Sequence, residues 1–397
     1  MTEPSQTIRR AIDHHGPISF AEFMELALYG PGGFYEHPPV GEAGHFVTSP
    51  HVHPVFARML ARALRGMWDL LGRPSPFHVV EVGAGDGTLA RDLQDLLAGT
   101  GCEYVAVDRS PGARAQLREL PVTVTATLEA AGHGHTGCVL ANELLDNLPF
   151  RWLRGTPRGP VEVRVGLQGD RFAPVEVPWD RSLELEEKIP APALEPGREV
   201  ALPTGALHFL DRLAHFLGSG YVLLVDYAAS EATGPVHGYR EHRVVEDVLA
   251  SPGSADITAG VDLDAVTRRA ELLGLGSHPA VTQRSALLSL GLAEWLEEER
   301  RRQAALQDAR AGREAVLAWS GRNEASLLID PQGLGRLRWL VLATAGLPWP
   351  RWLVEAAERD RADQPAGPLP PNGESTPREG SVSSAEPPQR EPRRRQP

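Results

Sequence analysis

The sequence is short of several things that would fix its class at once. It has two cysteines, Cys102 and Cys138, whose number and spacing allow neither a disulfide framework nor a cysteine metal site. A reducing cytoplasm is the location expected of such a chain. It has no run of about 18 uninterrupted apolar residues, and its opening stretch, MTEPSQTIRRAIDHHGP, lacks the apolar centre of a signal peptide. No membrane span and no export are expected. Positive charge is also scarce: 40 basic residues face 52 acidic ones, for a net charge of −12, which excludes broad attraction to nucleic acid or anionic membrane. Lysine is almost missing, with Lys188 alone against many arginines, a bias of coding rather than of chemistry. What is present is 42% hydrophobic residues in 397, enough to bury one large core or two modest ones.

The chain changes character along its length. Phe20, Phe23, Met24, Ala27 and Leu28 recur at helical spacing and are followed by Pro31, Gly32 and Gly33, so a helical cap is expected over 1–75, with a further helix over about 55–71. The histidines of the intervening loop, His45, His51 and His53, have no companion cysteine or paired acid at ligand spacing, and no metal site is expected. From 77 onward short apolar strands alternate with helical patterns: FHVVEV, EYVAVD, VTVTA, GCVLAN and, later, YVLLVDY at 221–227. That alternation predicts an α/β fold with a doubly wound, mostly parallel sheet. Its first half is expected over 76–150. Between lies an inserted region, 151–215, where VEVRVGLQGDRFAPVEV alternates apolar and polar residues around Gly169–Asp170, the pattern of an antiparallel hairpin that shapes a substrate site. The rest of the core is expected over 216–360, with one long amphipathic helical insertion over about 285–320 and a last strand at 337–344. The tail, 361–397, is Pro, Ser, Gly, Glu and Arg with almost no apolar residue, and disorder is expected there.

The sharpest chemical signal is VVEVGAGDGTLA at 79–90. A strand runs into Gly83, Ala84, Gly85 and Gly87, and a helix begins near Thr88, so backbone amides can meet a ligand with no side chain between. Dinucleotide loops read G-x-G-x-x-G and would need glycine where Thr88 stands; the spacing here favours S-adenosyl-L-methionine over NAD. The next strand ends in Asp108 about twenty residues on, placed to accept hydrogen bonds from ribose hydroxyls, with Arg109 beside it. Glu81 either orients the loop by accepting its amides or meets a ligand ammonium.

These motifs, together with GPISFAEFMELALYGPGGFY at 16–35, GHFVTSP at 44–50, ANELLDNLP at 141–149, LLVDY at 223–227, YREHRVVEDVLASPGSADITAGVDL at 239–263 and LLIDPQGLGRLRWL at 327–340, resemble the MidA-type family of S-adenosylmethionine-dependent methyltransferases. That family includes the mitochondrial complex I assembly factor that methylates an arginine of a complex I subunit. The resemblance covers about 8–350. It implies a Rossmann-like methyltransferase core, S-adenosyl-L-methionine as methyl donor, a protein arginine side chain as acceptor and its symmetric dimethylation. It also implies that Glu81, Gly83, Gly85 and Asp108 hold the cofactor, with Thr48 and Ser49 of GHFVTSP covering the same cleft. The family more often has Asp at His45, Glu at His51, His at Gly260 and Phe at Leu263.

For the acceptor, Asn142, Glu143 and Asp146 stand at the carboxyl end of the CVLAN strand, where α/β folds place ligands. If Leu144 and Leu145 begin a helical turn, Glu143 and Asp146 share a face and grip a cation. The same letters serve as a helix cap, with Asn142 as N-cap. A non-catalytic cofactor-binding assembly factor, a methyltransferase of a small molecule and an NAD-dependent oxidoreductase are the rival readings. The sequence leaves the oligomeric state open, and the helical stretch at 285–320 is the part that could support a homodimer.

Overall fold

The Ser19 side chain accepts from the Glu22 amide and starts helix α2 (Phe20–Met24), which follows α1 (Glu3–His15). The expected single helix is split, because the chain passes into a π-helical turn at Glu25–Tyr29 before Gly30 ends it. In the computed structural model the described residues are 3–36, 48–180, 194–228, 236–241 and 243–363. Ile8, Phe20, Phe23, Met24 and Leu28 are fully buried against Phe150, Val165 and Ile257, so the cap packs on parts of the chain far ahead in sequence. A single turn, α3 (Ser49–Val52), then leads into α4 (Val55–Leu70), whose Phe56, Met59, Leu60, Leu64 and Met67 are buried.

The core follows as β1 (Phe77–Val82), α5 (Thr88–Leu96), β2 (Cys102–Val107), α6 (Pro111–Leu117), β3 (Thr123–Thr125) and β4 (His135–Asn142). The chain then leaves for an antiparallel sheet of β5 (Arg151–Thr156), β6 (Gly159–Gln168), β7 (Arg171–Pro178) and β8 (Glu199–Leu202), ordered β7-β6-β5-β8. β6 and β7 form the hairpin expected at Gly169–Asp170, with Gln168 opposite Arg171. Helix α7 (Thr204–Phe216) returns to β9 (Leu217–Asp226), and a small sheet of β10 (His237–Arg240), β11 (Arg243–Val245) and β12 (Asp256–Thr258) follows. The last stretch holds α8 (Leu263–Leu272), β13 (Gly276–Ser277), β14 (Val281–Thr282), α9 (Gln283–Ser289), α10 (Leu292–Asp308), α11 (Gly312–Leu327), β15 (Arg338–Ala343) and α12 (Arg351–Asp363).

The main sheet is ordered β13-β15-β9-β4-β1-β2-β3, with β14 also pairing β15. From β9 to β3 all pairs are parallel; β15 lies antiparallel to β9. Successive residues bury opposite faces: Val79, Leu223 and Val341 pack with α4 and α5, while Val80, Leu224 and Leu342 pack with α7 and α8. Burial on both faces explains why these strands read as continuous apolar runs. The strand order reverses between β1 and β4, which opens a crevice at their carboxyl ends. This is a Rossmann-like α/β fold.

Two boundaries differ from expectation. The helix expected over 285–320 is three helices, broken at Gly291 (φ 97°) and at Arg310 (φ 56°), both left-handed. Helix α12 runs to Asp363, past the tail boundary expected at 361. The rest of that tail, 364–397, and His45 lie outside the described residues.

Candidate active site

At the end of β1 the loop glycines Gly83, Gly85 and Gly87 have φ of 78°, 56° and 81°, a region in which other residues are strained. A Cβ at Gly87 would also come within 2.9 Å of both Leu117 and Leu120. The loop is tied down from the neighbouring strand: the Gly85 amide donates to Asp108 Oδ2 (2.9 Å) and the Ser110 amide to Asp108 Oδ1 (2.8 Å). Asp86 accepts from the Thr88 amide and hydroxyl at 3.0 and 3.1 Å and so starts α5. Glu81 does not accept the loop amides. Its Oε2 accepts instead from Tyr104 Oη at 2.7 Å, because a carboxylate on β1 faces the neighbouring β2 across one strand spacing. Burial pushes its carboxyl up to about 8 against the opposing pull of that hydroxyl.

Beyond Asn142 the backbone turns sharply. Glu143 has φ 52°, a left-handed conformation that non-glycine residues hold only where surroundings enforce it. Its amide donates to Val225 O (2.7 Å), and its Oε1 accepts from the Ser49 amide (3.0 Å) and Asn142 Nδ2 (3.3 Å). The turn after it, a 3₁₀ helix at Leu145–Asn147, is capped by Asp226 from the end of β9: Asp226 Oδ2 accepts from the Leu144 and Leu145 amides at 3.0 and 2.6 Å. This corrects the reading of Asn142 as N-cap. It also corrects the shared helical face, since Glu143 lies outside the turn and Asp146 reaches back to accept from Thr258 Oγ1 (2.9 Å). Asn147 Nδ2 donates to Asp256, which also accepts from Tyr35 Oη at 2.9 Å.

Four carboxyls therefore meet here, Glu143, Asp146, Asp226 and Asp256. Among the described residues none of them joins an ion pair. Burial pushes Glu143 up to about 7 and Asp256 up to about 7, with the charge of Asp146 adding in each case. Asp146 and Asp226 are raised by burial too, Asp226 well above its usual range and further by Asp146. Asp226, Asp256 and Tyr35 were not singled out from sequence. Asp226 alone carried a signal, as an acid ending an apolar strand just as Asp108 does.

A cavity of about 1070 Å³ joins the glycine loop to this acid group. Glu81, Gly83, Ala84, Gly85, Asp108, Arg109, Thr48, Asn142 and Glu143 line it; Gly87, Ser49 and Asp146 do not. The Arg109 guanidinium pairs with Glu25 and lies 4.1 Å over the Tyr29 ring. Asn142 Oδ1 is buried without a partner in the protein, an acceptor open to a donor group. A glycine loop that puts no side chain over the cleft, a fixed strand-end carboxylate and that amide oxygen suit a nucleoside bearing an amino acid. Among the described residues no group of side chains could hold a metal ion.

The sequence profile of the family described as "Putative S-adenosyl-L-methionine-dependent methyltransferase" matches residues 59–281. The chain belongs to this family. The methyltransferase is 29% identical over 321 residues to "Protein arginine methyltransferase NDUFAF7, mitochondrial" of Danio rerio, covering 70% of this chain and 74% of the relative. To the homologue of the same name in Drosophila melanogaster it is 30% identical over 313 residues, 68% of this chain and 70% of the relative. A crystal structure of a superfamily member from Burkholderia thailandensis bound to S-adenosyl-homocysteine is 26% identical, with a TM-score of 0.74 over 88% of this chain and 94% of that one. S-Adenosyl-L-methionine is thus the cofactor of this methyltransferase, and methyl transfer is its reaction. The oxidoreductase and non-catalytic readings are set aside. Among the described residues no helix is long and apolar enough to cross a membrane.

Proposed function

We propose that this methyltransferase modifies a protein arginine, giving the symmetric dimethyl product, and that Glu143 holds the acceptor guanidinium. The observation that carries the reading is the group of four carboxyls with no ion pair among the described residues, reached from the cavity wall at Glu143. A guanidinium stays protonated below about pH 12 and offers a flat fork of donors, so paired carboxylates are the groups that fix its plane. Glu143 Oε1 is held by the Ser49 amide and Asn142, which leaves Oε2 for the acceptor. Asp146 supports it from behind.

S-Adenosyl-L-methionine supplies an electrophilic methyl on a sulfonium. Glu81, Gly83, Ala84, Gly85, Asp108, Arg109 and Thr48 hold it from the wall, and Gly87 and Ser49 shape the loop and the turn behind. Alignment of the acceptor nitrogen is worth roughly 7–11 kcal/mol in favourable cases. A base contributes about 10²–10⁴-fold, so positioning dominates. The nitrogen that takes the methyl gives up a proton, and Glu143, with its carboxyl raised to about 7, receives it near neutral pH.

The region 151–215 forms the acceptor-side wall in this reading; Arg151 of β5 and Thr204 and Gly205 at the start of α7 line the cavity there. Following the resemblance to complex I assembly factors, we take the acceptor protein to be a complex I subunit. Cys102 and Cys138 are free, and we keep the cytoplasm as the location, although the curated relatives are mitochondrial by name. A homodimer is supported by α11, where Val316, Leu317 and Trp319 are 62, 60 and 50% exposed; a solution mass equal to one chain would remove it. The arginine reading is tested by mass spectrometry of arginine methylation in cells with and without the gene. We expect a discrete site of dimethylation to disappear with the gene, and an unchanged arginine methylome would overturn the reading.

A further inference from the structure

The single turn α3 makes three attachments in three directions. The Ser49 hydroxyl bonds Gln283 at 3.3 Å, and Gln283, fully buried, donates to Leu328 O (3.0 Å) and accepts from Trp339 Nε1 (3.3 Å). The turn is therefore anchored in the core under β15. The Ser49 amide points the other way, to Glu143 Oε1 (3.0 Å). Two residues on, His51 Nε2 lies 2.9 Å from Asp86 Oδ2 of the glycine loop, while His51 Nδ1 lies 2.9 Å from Thr48 Oγ1. Thr48 holds the N-cap position but makes no cap bond with its side chain; its hydroxyl orients the imidazole instead. Burial disfavours the Asp86 carboxylate, yet the bonds from His51 and Thr88 outweigh it and keep Asp86 below its usual range. An ionised carboxylate only accepts, so Nε2 carries the proton on that side.

We propose that α3 is a brace between the cofactor loop and the acceptor acid, and that His51 is a positioning residue acting on Glu143 through it. The inference rests on the methyl-transfer reading of the cavity and on the role given to Glu143. Asp86 and Glu143 lie 57 residues apart, just beyond the ends of the two strands that flank the crevice. One rigid turn spans them, with its Ser49 end on the acid and its His51 end on the loop. A ligand that settles the glycine loop pulls Asp86, and through the imidazole it fixes the amide that holds Glu143. The acid is thereby held most firmly when the methyl donor is in place. Loss of one charge-assisted bond at the loop should also weaken the ligand by about tenfold.

The test uses S-adenosyl-homocysteine as the probe on the full chain, with calorimetry for affinity and hydrogen–deuterium exchange for the two segments. In the native protein the probe should slow exchange at both 83–88 and 48–53. In His51→Ala the protection of 83–88 should persist and that of 48–53 shrink to what direct contact at Thr48 gives, affinity should fall about tenfold, and label transfer to lysate protein at saturating cofactor should fall as well. His51→Gln, whose amide can donate to Asp86, should restore affinity to within about threefold. If the probe binds the native protein but leaves 48–53 unprotected, the brace is wrong whether or not the variant folds. If His51→Ala keeps native affinity and native protection, it is wrong too. Failure of the probe to bind the native protein would instead overturn the cavity reading beneath it.

Discussion

At the scale of single residues the role proposed for Glu143, a carboxyl at φ 52° on the cavity wall, is open to direct test. Glu143→Gln keeps the shape and removes the charge. We expect methyl transfer to fall by about a hundredfold or more with affinity for S-adenosyl-homocysteine within a few-fold, measured by label transfer and calorimetry. Because burial raises this carboxyl from 4.5 to about 7, native transfer should climb as pH rises through about 7, and the variant should lose that limb. Stability carries the opposite sign. A carboxyl raised on folding binds more protons in the folded chain, so it weakens the fold as pH climbs from its unfolded value to its folded one. Glu143→Gln should therefore raise the melting temperature at pH 8 and leave it nearly unchanged at about pH 4. Glu143 was legible as an acid at a strand end within a family block, and the loop glycines by their spacing. Asp256 was not, because nothing in SADIT marks a residue whose partners, Tyr35 and Asn147, lie far back along the chain.

Among elements, the turn after β4 shows how a strand delivers function. It is closed by a side chain from the neighbouring strand, Asp226, which takes two backbone amides at once. Asp226→Ala leaves both amides without that acceptor, and we expect a loss of about 1–3 kcal/mol in denaturant unfolding. That loss opposes the gain expected for Glu143→Gln, so the two measurements separate a structural acid from an acceptor acid. The strands were readable because both faces are buried and their sequences run apolar throughout, and the hairpin because Gly169–Asp170 marks its turn. The break between α10 and α11 was not, since it places Arg310, neither glycine nor proline, at φ 56°. A left-handed arginine has no signature in composition or periodicity.

For the whole molecule, the cofactor must couple to stability, because the cavity joins the N-terminal cap, the ends of both strands of the crevice and the turn at Thr48, Pro50 and His51. S-Adenosyl-homocysteine at one hundred times its Kd should stabilise the fold by roughly 2.7 kcal/mol, seen as a higher melting temperature, whereas NAD at the same concentration should leave it unmoved. The doubly wound sheet was legible in the order of strands and helices. The position of its last strand was not, because adjacency in a sheet is fixed by packing and not by order along the chain. β15 lies between β9 and β13, and this has a consequence for biosynthesis. As the chain leaves the ribosome, β9 has its partner β4 on one side but must wait for about a hundred further residues before β15 covers the other. During that interval an apolar edge, from Tyr221 to Asp226, stands open to any other nascent strand. The burden of chaperones should therefore fall on the last third of translation, and chains stalled there should aggregate while full-length chains stay in solution.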